Sequence, residues 1–181
     1  MGYFTAVLDP DVASPAGLVS HHHIQTDYLD EQGLAQLMQR CAAITTEFEN
    51  VSAPAMVTLG SQRVVSPSAD CVAIAQNRIE EKAYITGCGV PVAPHAALRS
   101  TTDITDDLEH LLPGIVKTAR LGYDGKGQTK IYDGTDLGQA FAEIGRQPAV
   151  LEGFVRFEKE ISVIAARSWS GEVKVYDVPE N

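Results

Sequence analysis

The heptapeptide Gly122-Tyr123-Asp124-Gly125-Lys126-Gly127-Gln128 has the residue types of a loop that covers a ligand. Three glycines in six positions let the backbone take positive φ angles and approach a ligand closely, and Lys126 can reach phosphate oxygens. The spacing is neither GxxxxGK[ST] nor GxGxxG, and a glycine-rich hairpin turn with a solvated lysine accounts for it equally well. Lys117 tilts that balance toward an anion. It lies among Ile115, Val116 and Thr118, a segment suited to a buried strand, where an unpaired ammonium is costly to desolvate. A neighbouring phosphate would remove the cost, and an outward-facing place on a half-exposed strand would avoid it. Arg78 and Lys82 are four residues apart and share a helix face. They can converge on an anion, or Lys82 can pair with Glu81 and solvent.

Carboxylates supply the complementary chemistry. Glu152 follows the apolar run Ala149-Val150-Leu151, and Glu160 precedes Ile161-Ser162-Val163. At strand ends such groups accept hydrogen bonds from an amino group or from ribose hydroxyls. Glu158 points to the same side as Glu160 in an extended segment, but Arg156 and Lys159 offer it local partners. Glu47 and Glu49 share one face of an extended segment and either orient a polar substrate at a strand end or are solvated loop acids. His21-His22-His23 diverge on an extended chain, so one metal ion takes all three only if the loop folds back. A structural or surface role is the expectation, no metal ligands are assigned, and His95 and His110 receive no role.

The elements that must position these residues follow from periodicity. Tyr3–Leu8 reads as a short buried strand ending at Asp9-Pro10. Leu34, Leu37, Met38 and Cys41 recur at helical spacing behind a cap at Asp30. Ala43–Thr46 reads as a strand, the segment from Pro54 as a helix, and Val64-Val65 as a strand. This β-α-β-α alternation predicts a parallel sheet. Beyond a boundary near Ser66-Pro67-Ser68, Asn77–Gly87 is helical, as is Thr101–Leu112. Strands are expected at Ile115–Thr118, Gln128–Tyr132 and Ala149–Leu151, with a helix over Gly134–Ile144. Ile161–Ala166 and Val173–Val178 read as paired strands.

The bulk properties narrow the function. Hydrophobic residues at 44% and charged residues at 21% describe an ordinary globular chain. The net charge of −10 opposes general attraction to nucleic acid or an anionic membrane. Yet no Lys or Arg precedes Arg40, while Arg78, Lys82, Arg99, Lys117, Arg120, Lys126 and Lys130 make up seven of the fourteen. That concentration suits a small polyphosphate. The apolar runs are too short to span a bilayer, there is no secretory signal pattern, and Cys41, Cys71 and Cys88 are widely spaced, so a reduced, cytoplasmic compartment is expected.

Five stretches resemble the N5-carboxyaminoimidazole ribonucleotide synthases, an ATP-grasp family: AVLDPDVASPAG at 6–17, TTEFENV at 45–51, SPSADCVAIAQNRIEEK at 66–82, GYDGKGQ at 122–128 and LEGFVRFEKEISVIAAR at 151–167. The resemblance implies an α/β fold, α+β overall. Residues 1–65 would be the remnant of a parallel-sheet pre-ATP-grasp domain, and residues 66–181 the start of an ATP-grasp fold with its small nucleotide-covering subdomain. It places Arg78 and Lys117 on ATP phosphates and makes Gly122, Gly125, Lys126, Gly127 and Gln128 the covering loop. Glu152 with the backbone of Phe154 and Val155 would hold adenine, and Glu160 the ribose hydroxyls. Glu47 and Asn50 would lie near 5-aminoimidazole ribonucleotide, with Tyr123, Asp124 and Lys126 at the chemistry. The implied reaction is ATP- and bicarbonate-dependent carboxylation of that ribonucleotide in purine biosynthesis, by a homodimeric full-length ligase.

Departures accompany the match. The family's first glycine-rich strand-turn-helix would precede Met1, and the ligands for Mg2+ would follow Asn181, so the isolated chain is expected to be inactive. Leu121 stands where the family often has glycine, and Gly153 where it often has a second acid. The alternatives are a sibling ATP-grasp ligase, such as a formate-dependent ribonucleotide transformylase or a biotin-carboxylase-like enzyme, or a non-catalytic nucleotide-binding or interaction fragment.

Overall fold

Ser14 and Asp30 each stand at a helix start and accept one of its free N–H groups. In this computed structural model, which describes residues 2–122 and 127–181, the chain runs β1 (Ala6–Leu8), α1 (Pro15–Val19), β2 (His22–Ile24), α2 (Glu31–Arg40), β3 (Ala43–Ile44), α3 (Ala53–Gly60) and β4 (Val64–Val65). Asp30 accepts the Gly33 N–H at 2.7 Å and starts α2. The Arg63 guanidinium donates to the carbonyls of Met38 at 2.5 Å and Cys41 at 3.0 Å and closes its far end. β1 pairs with β2 and β3 with β4, each in parallel. Leu34, Leu37 and Met38 of α2 pack into one core with Ile24, Ile44, Ala55 and Leu59.

Two expectations need correction. The strand expected from Tyr3 begins only at Ala6, and Tyr3 and Phe4 are 77% and 90% exposed. Strand propensity needs a partner to pack against, and Phe4 instead lies tilted against the His21 ring, 4.7 Å between centroids. Thr101–Leu112 is not one helix but two 3-10 turns, Thr101–Asp103 and Asp106–Leu111. The Asp103 carboxylate takes the N–H groups of Arg99 and Ser100 at 2.7 and 2.8 Å, a capping box that starts the first turn, and the backbone is extended at Ile104 and Thr105 before the second begins.

The second half begins with α4 (Ala69–Ala75), which packs against α3 and against α5 (Arg78–Gly87). Then follow β5 (His95–Leu98), β6 (Gly114–Thr118), β7 (Gln128–Ile131), α6 (Leu137–Glu143) and β8 (Ala149–Gly153). The sheet order is β5-β8-β6-β7, and every neighbouring pair is antiparallel. Alternation gives the sheet two different faces. On one, Leu98, Val116, Ile131, Ala149 and Leu151 pack with Leu137, Ala140 and Phe141 of α6. On the other, Val150 packs with Ala119 and with Ile79 of α5. Glu152 and Lys117 belong to this second face, since Glu152 is two residues from Val150 and Lys117 is opposite Val150 in register. β9 (Ala165–Arg167) and β10 (Val173–Val175) form an antiparallel hairpin. Among the described residues no helix is long and apolar enough to cross a membrane.

Candidate functional site

Asn77 caps α5 by accepting the Ile79 N–H at 3.0 Å, and Ile79 is buried against the sheet. That seating carries Lys82, one turn beyond Arg78, over the polar row of the second face. Lys82 Nζ lies 2.9 Å from Glu152 Oε1, and Lys117 Nζ lies 2.6 Å from Glu152 Oε2. Burial pulls the Glu152 pKa upward, but hydrogen bonds and Coulombic attraction from Lys117 and Lys82 outweigh it and hold the carboxyl below its ordinary value. One carboxylate between two ammonium groups leaves a net positive, largely buried spot. Lys117, 26% exposed, is thus matched from within the sheet. A carboxylate on the neighbouring strand neutralises it, and Lys82 pairs with that carboxylate rather than with Glu81.

Arg78 grips the base of the glycine-rich loop. Its guanidinium donates to the Thr118 carbonyl and to the Gly122 carbonyl, both at 2.8 Å, and its backbone N–H donates to Ala119 at 2.9 Å. At the other end, Gly127 has φ +68 and accepts the Thr118 N–H at 2.8 Å. A Cβ there would sit 2.6 Å from Thr118 Oγ1, so this position requires glycine. Gln128 follows, paired with Lys117 in register. Leu121 has φ +58, the left-handed region that disfavours a branched side chain. Tyr123, Asp124, Gly125 and Lys126 lie outside the described residues.

The other expected site residues are more dispersed. Phe154 donates its N–H to Pro113 at 2.8 Å, and its side chain and that of Val155 are exposed. Glu160 is exposed in the segment leading to the hairpin, and its carbonyl accepts from Asn181. Glu47 is exposed and Asn50 half-buried beyond the end of β3. Gln76 ties their segment to the second half: its Nε2 donates to the carbonyls of Glu49, at 2.6 Å, and Val51, while its Oε1 accepts from Arg120 at 3.4 Å. Gln76 escaped sequence reasoning, although a glutamine closing the apolar run Val72-Ala73-Ile74-Ala75 was its signal. So did Tyr28, whose hydroxyl donates to Asp9 Oδ2 at 3.3 Å. Burial, then the charge of Asp9, raises the Tyr28 pKa.

Of the three clustered histidines, His21 accepts the Thr5 N–H at its Nδ1, and His23 Nε2 lies 3.0 Å from the Asp9 carbonyl. Among the described residues no group of three or more His, Cys, Asp or Glu is placed to hold a metal ion.

Comparison with known proteins supplies the family. Residues 1–76 match the family described as ribonucleotide synthetase preATP-grasp domain, and residues 83–181 match the ATP-grasp domain. The chain is 40% identical to the N5-carboxyaminoimidazole ribonucleotide synthase of Brucella melitensis, over 99% of its own length and 51% of the relative's. Identity to the Staphylococcus aureus protein of that name is 36%, over 100% and 49%. The solved S. aureus structure complexed with ADP superposes with a TM-score of 0.92 at 36% identity, covering 100% of this chain and 49% of that one. The Aspergillus clavatus enzyme in complex with ADP and 5-aminoimidazole ribonucleotide gives 0.82 at 26% identity, covering 97% and 46%. The chain spans about half the length of the relatives it matches.

Proposed function

This chain belongs to the ATP-grasp family, and from that premise we propose that residues 66–181 clamp ATP while residues 1–65 present a ribonucleotide acceptor. The observation that carries the proposal is the Lys82–Glu152–Lys117 row on the sheet face beneath α5, beside a glycine-rich loop held by Arg78. Cations supplied in a largely buried place suit a polyphosphate, and the carboxylate among them suits an amino group. In the roles proposed, Lys117 and Arg78 hold phosphates, and Gly122, Gly125, Lys126, Gly127 and Gln128 close over them. Glu152 and the backbone of Phe154 and Val155 take the base, and Glu160 takes the ribose. Glu47 and Asn50 orient the acceptor.

The proposed reaction is that of an N5-carboxyaminoimidazole ribonucleotide synthase in purine biosynthesis, working in the cytoplasm as a homodimer. Bicarbonate oxygen attacks the terminal phosphorus of ATP, giving carboxyphosphate and ADP. The exocyclic amine of 5-aminoimidazole ribonucleotide then attacks the carboxyl carbon, phosphate leaves, and the amine loses a proton. Fixed cations offset the charge that develops in the phosphoryl transfer, and the closed loop keeps water from the intermediate, with Tyr123, Asp124 and Lys126 nearest to it. The described residues offer no group of three or more His, Cys, Asp or Glu for Mg2+.

The test is phosphate release that depends on ATP, bicarbonate and 5-aminoimidazole ribonucleotide, with direct detection of the carboxylated product. It is run on this chain and on this chain joined to the remaining sequence of its Brucella relative. Product from either chain supports the proposal, and product from neither removes the assigned reaction.

A further inference from the structure

The two lysines on Glu152 are not equivalent. Lys82 is fixed to a helix that is capped by Asn77 and seated by Ile79, and its side chain is 14% exposed, like that of Glu152. Lys117 is 26% exposed and stands at the mouth of the glycine-rich loop, opposite Gln128 in register. Both oxygens of Glu152 already accept from an ammonium group, and the amino group of a base would share Oε2 with Lys117, so the departure of Lys117 frees that side of the carboxylate for it. Lys117 has somewhere to go, because a phosphate can replace its carboxylate; Lys82, the less exposed of the two, is anchored.

We propose that Lys82 is a positioning residue for base recognition: it holds Glu152 Oε1 in place while Oε2 is handed from Lys117 to the amino group of the bound base. The inference rests on reading this face as an adenine nucleotide site. The exchange leaves no half-buried charge alone at either stage. Before it, two lysines share one carboxylate; after it, Lys117 is paired with phosphate and Lys82 still with Glu152, which avoids the large cost of an uncompensated buried charge. Without Lys82 the carboxylate has only Lys117 to follow, and it would be drawn toward the phosphate side and away from the base. Removal of Lys82 therefore alters which base is preferred, whereas removal of Lys117 alters how tightly any triphosphate is held.

The experiment measures binding of ATP and of purine riboside triphosphate, which lacks the 6-amino group, to the 181-residue chain by calorimetry. A hydrogen bond to a charged group predicts that the wild type prefers ATP by about tenfold or more. Lys82→Met is expected to bring that preference within about twofold of unity while leaving affinity for the desamino nucleotide within about threefold, the pattern of a lost base contact. Lys117→Met is expected to weaken both nucleotides together and keep the preference. Glu152→Gln and the Glu152→Gln, Lys82→Met double variant give a second route should the single lysine variant fold poorly, since residues acting through one contact are non-additive. The double variant is expected to discriminate no worse than Glu152→Gln alone. A wild-type preference that survives in Lys82→Met, or additive losses in the double variant, would overturn the positioning role and leave the nucleotide site intact. A wild type that binds neither nucleotide would overturn the functional reading, and the role of Lys82 with it.

Discussion

β8 and β10 are both short strands that carry valine, yet they occupy opposite environments. Ala149, Val150 and Leu151 of β8 are 0% exposed, whereas Val173 and Val175 of β10 are 54% and 60% exposed. β8 has a strand on each side and a helix over each face; among the described residues β10 is paired only with β9. Strand-forming residues therefore report the local backbone, while neighbours distant in sequence decide what is buried. The same contrast separates two strand-end carboxylates. Glu152, leaving β8, is held by two lysines, and Glu160, ahead of the hairpin, is exposed.

The largest expected effect sharpens that contrast directly. Leu151→Ala removes a fully buried side chain from the centre of the sheet and should cost about 2–5 kcal/mol in urea unfolding. Val175→Ala should change stability by no more than about 0.5 kcal/mol. Equal losses at the two sites would mean that β10 is buried in solution. Next, Glu152→Ala leaves Lys82 and Lys117 facing each other and should cost about 2 kcal/mol, less than for a fully buried pair because Lys117 keeps some access to water.

The pH dependence of that carboxylate follows from the sign of its shift. Its folded pKa is depressed below the ordinary 4.5, so its contribution is complete above that value and is lost as the pH falls through the depressed pKa. Thermal melts of wild type and Glu152→Gln from neutral pH down should therefore converge in acid. A constant gap between them would show that the lysine contacts do not form. Gln76→Leu should cost about 1–2 kcal/mol by leaving the Glu49 and Val51 carbonyls without their donor, and should raise amide exchange in residues 47–52 before it affects β8. The smallest effect is at Leu121, where glycine relieves a left-handed conformation but makes the unfolded chain more flexible. A net gain of about 0.5 kcal/mol is expected, and a loss on calorimetric melting would show that the leucine side chain is packed.

Local signals in the sequence carried much of the fold. Asp30 and Asn77 stand where their helices start, Lys117 falls in the strand expected for it, and Gly127 has the backbone that its loop requires. The paired strands after residue 160 form, though narrower than expected. What stayed hidden was short or long-range. α1 and α4 have five and seven residues, too few for a helical period to show, and β2 is two histidines and an isoleucine. The order β5-β8-β6-β7 depends on packing that no local pattern encodes. The pairing of Lys117 and Lys82 stayed hidden because their partner, Glu152, lies far along the chain: the β6–β8 register brings it to Lys117, and the seating of α5 by Ile79 brings it to Lys82. The place of Arg78 on two backbone carbonyls, one of them Gly122, was not legible, since carbonyls leave no trace in a sequence.

The account turns on whether the Glu152 row opens for a nucleotide. A crystal structure of this chain with ADP measures it directly. The expected result has the 2.6 Å contact between Lys117 and Glu152 Oε2 broken, with a phosphate oxygen on Lys117, the adenine amino group on Oε2, and the 2.9 Å contact from Lys82 to Oε1 retained. ADP bound elsewhere, with both lysines still on Glu152, would contradict it.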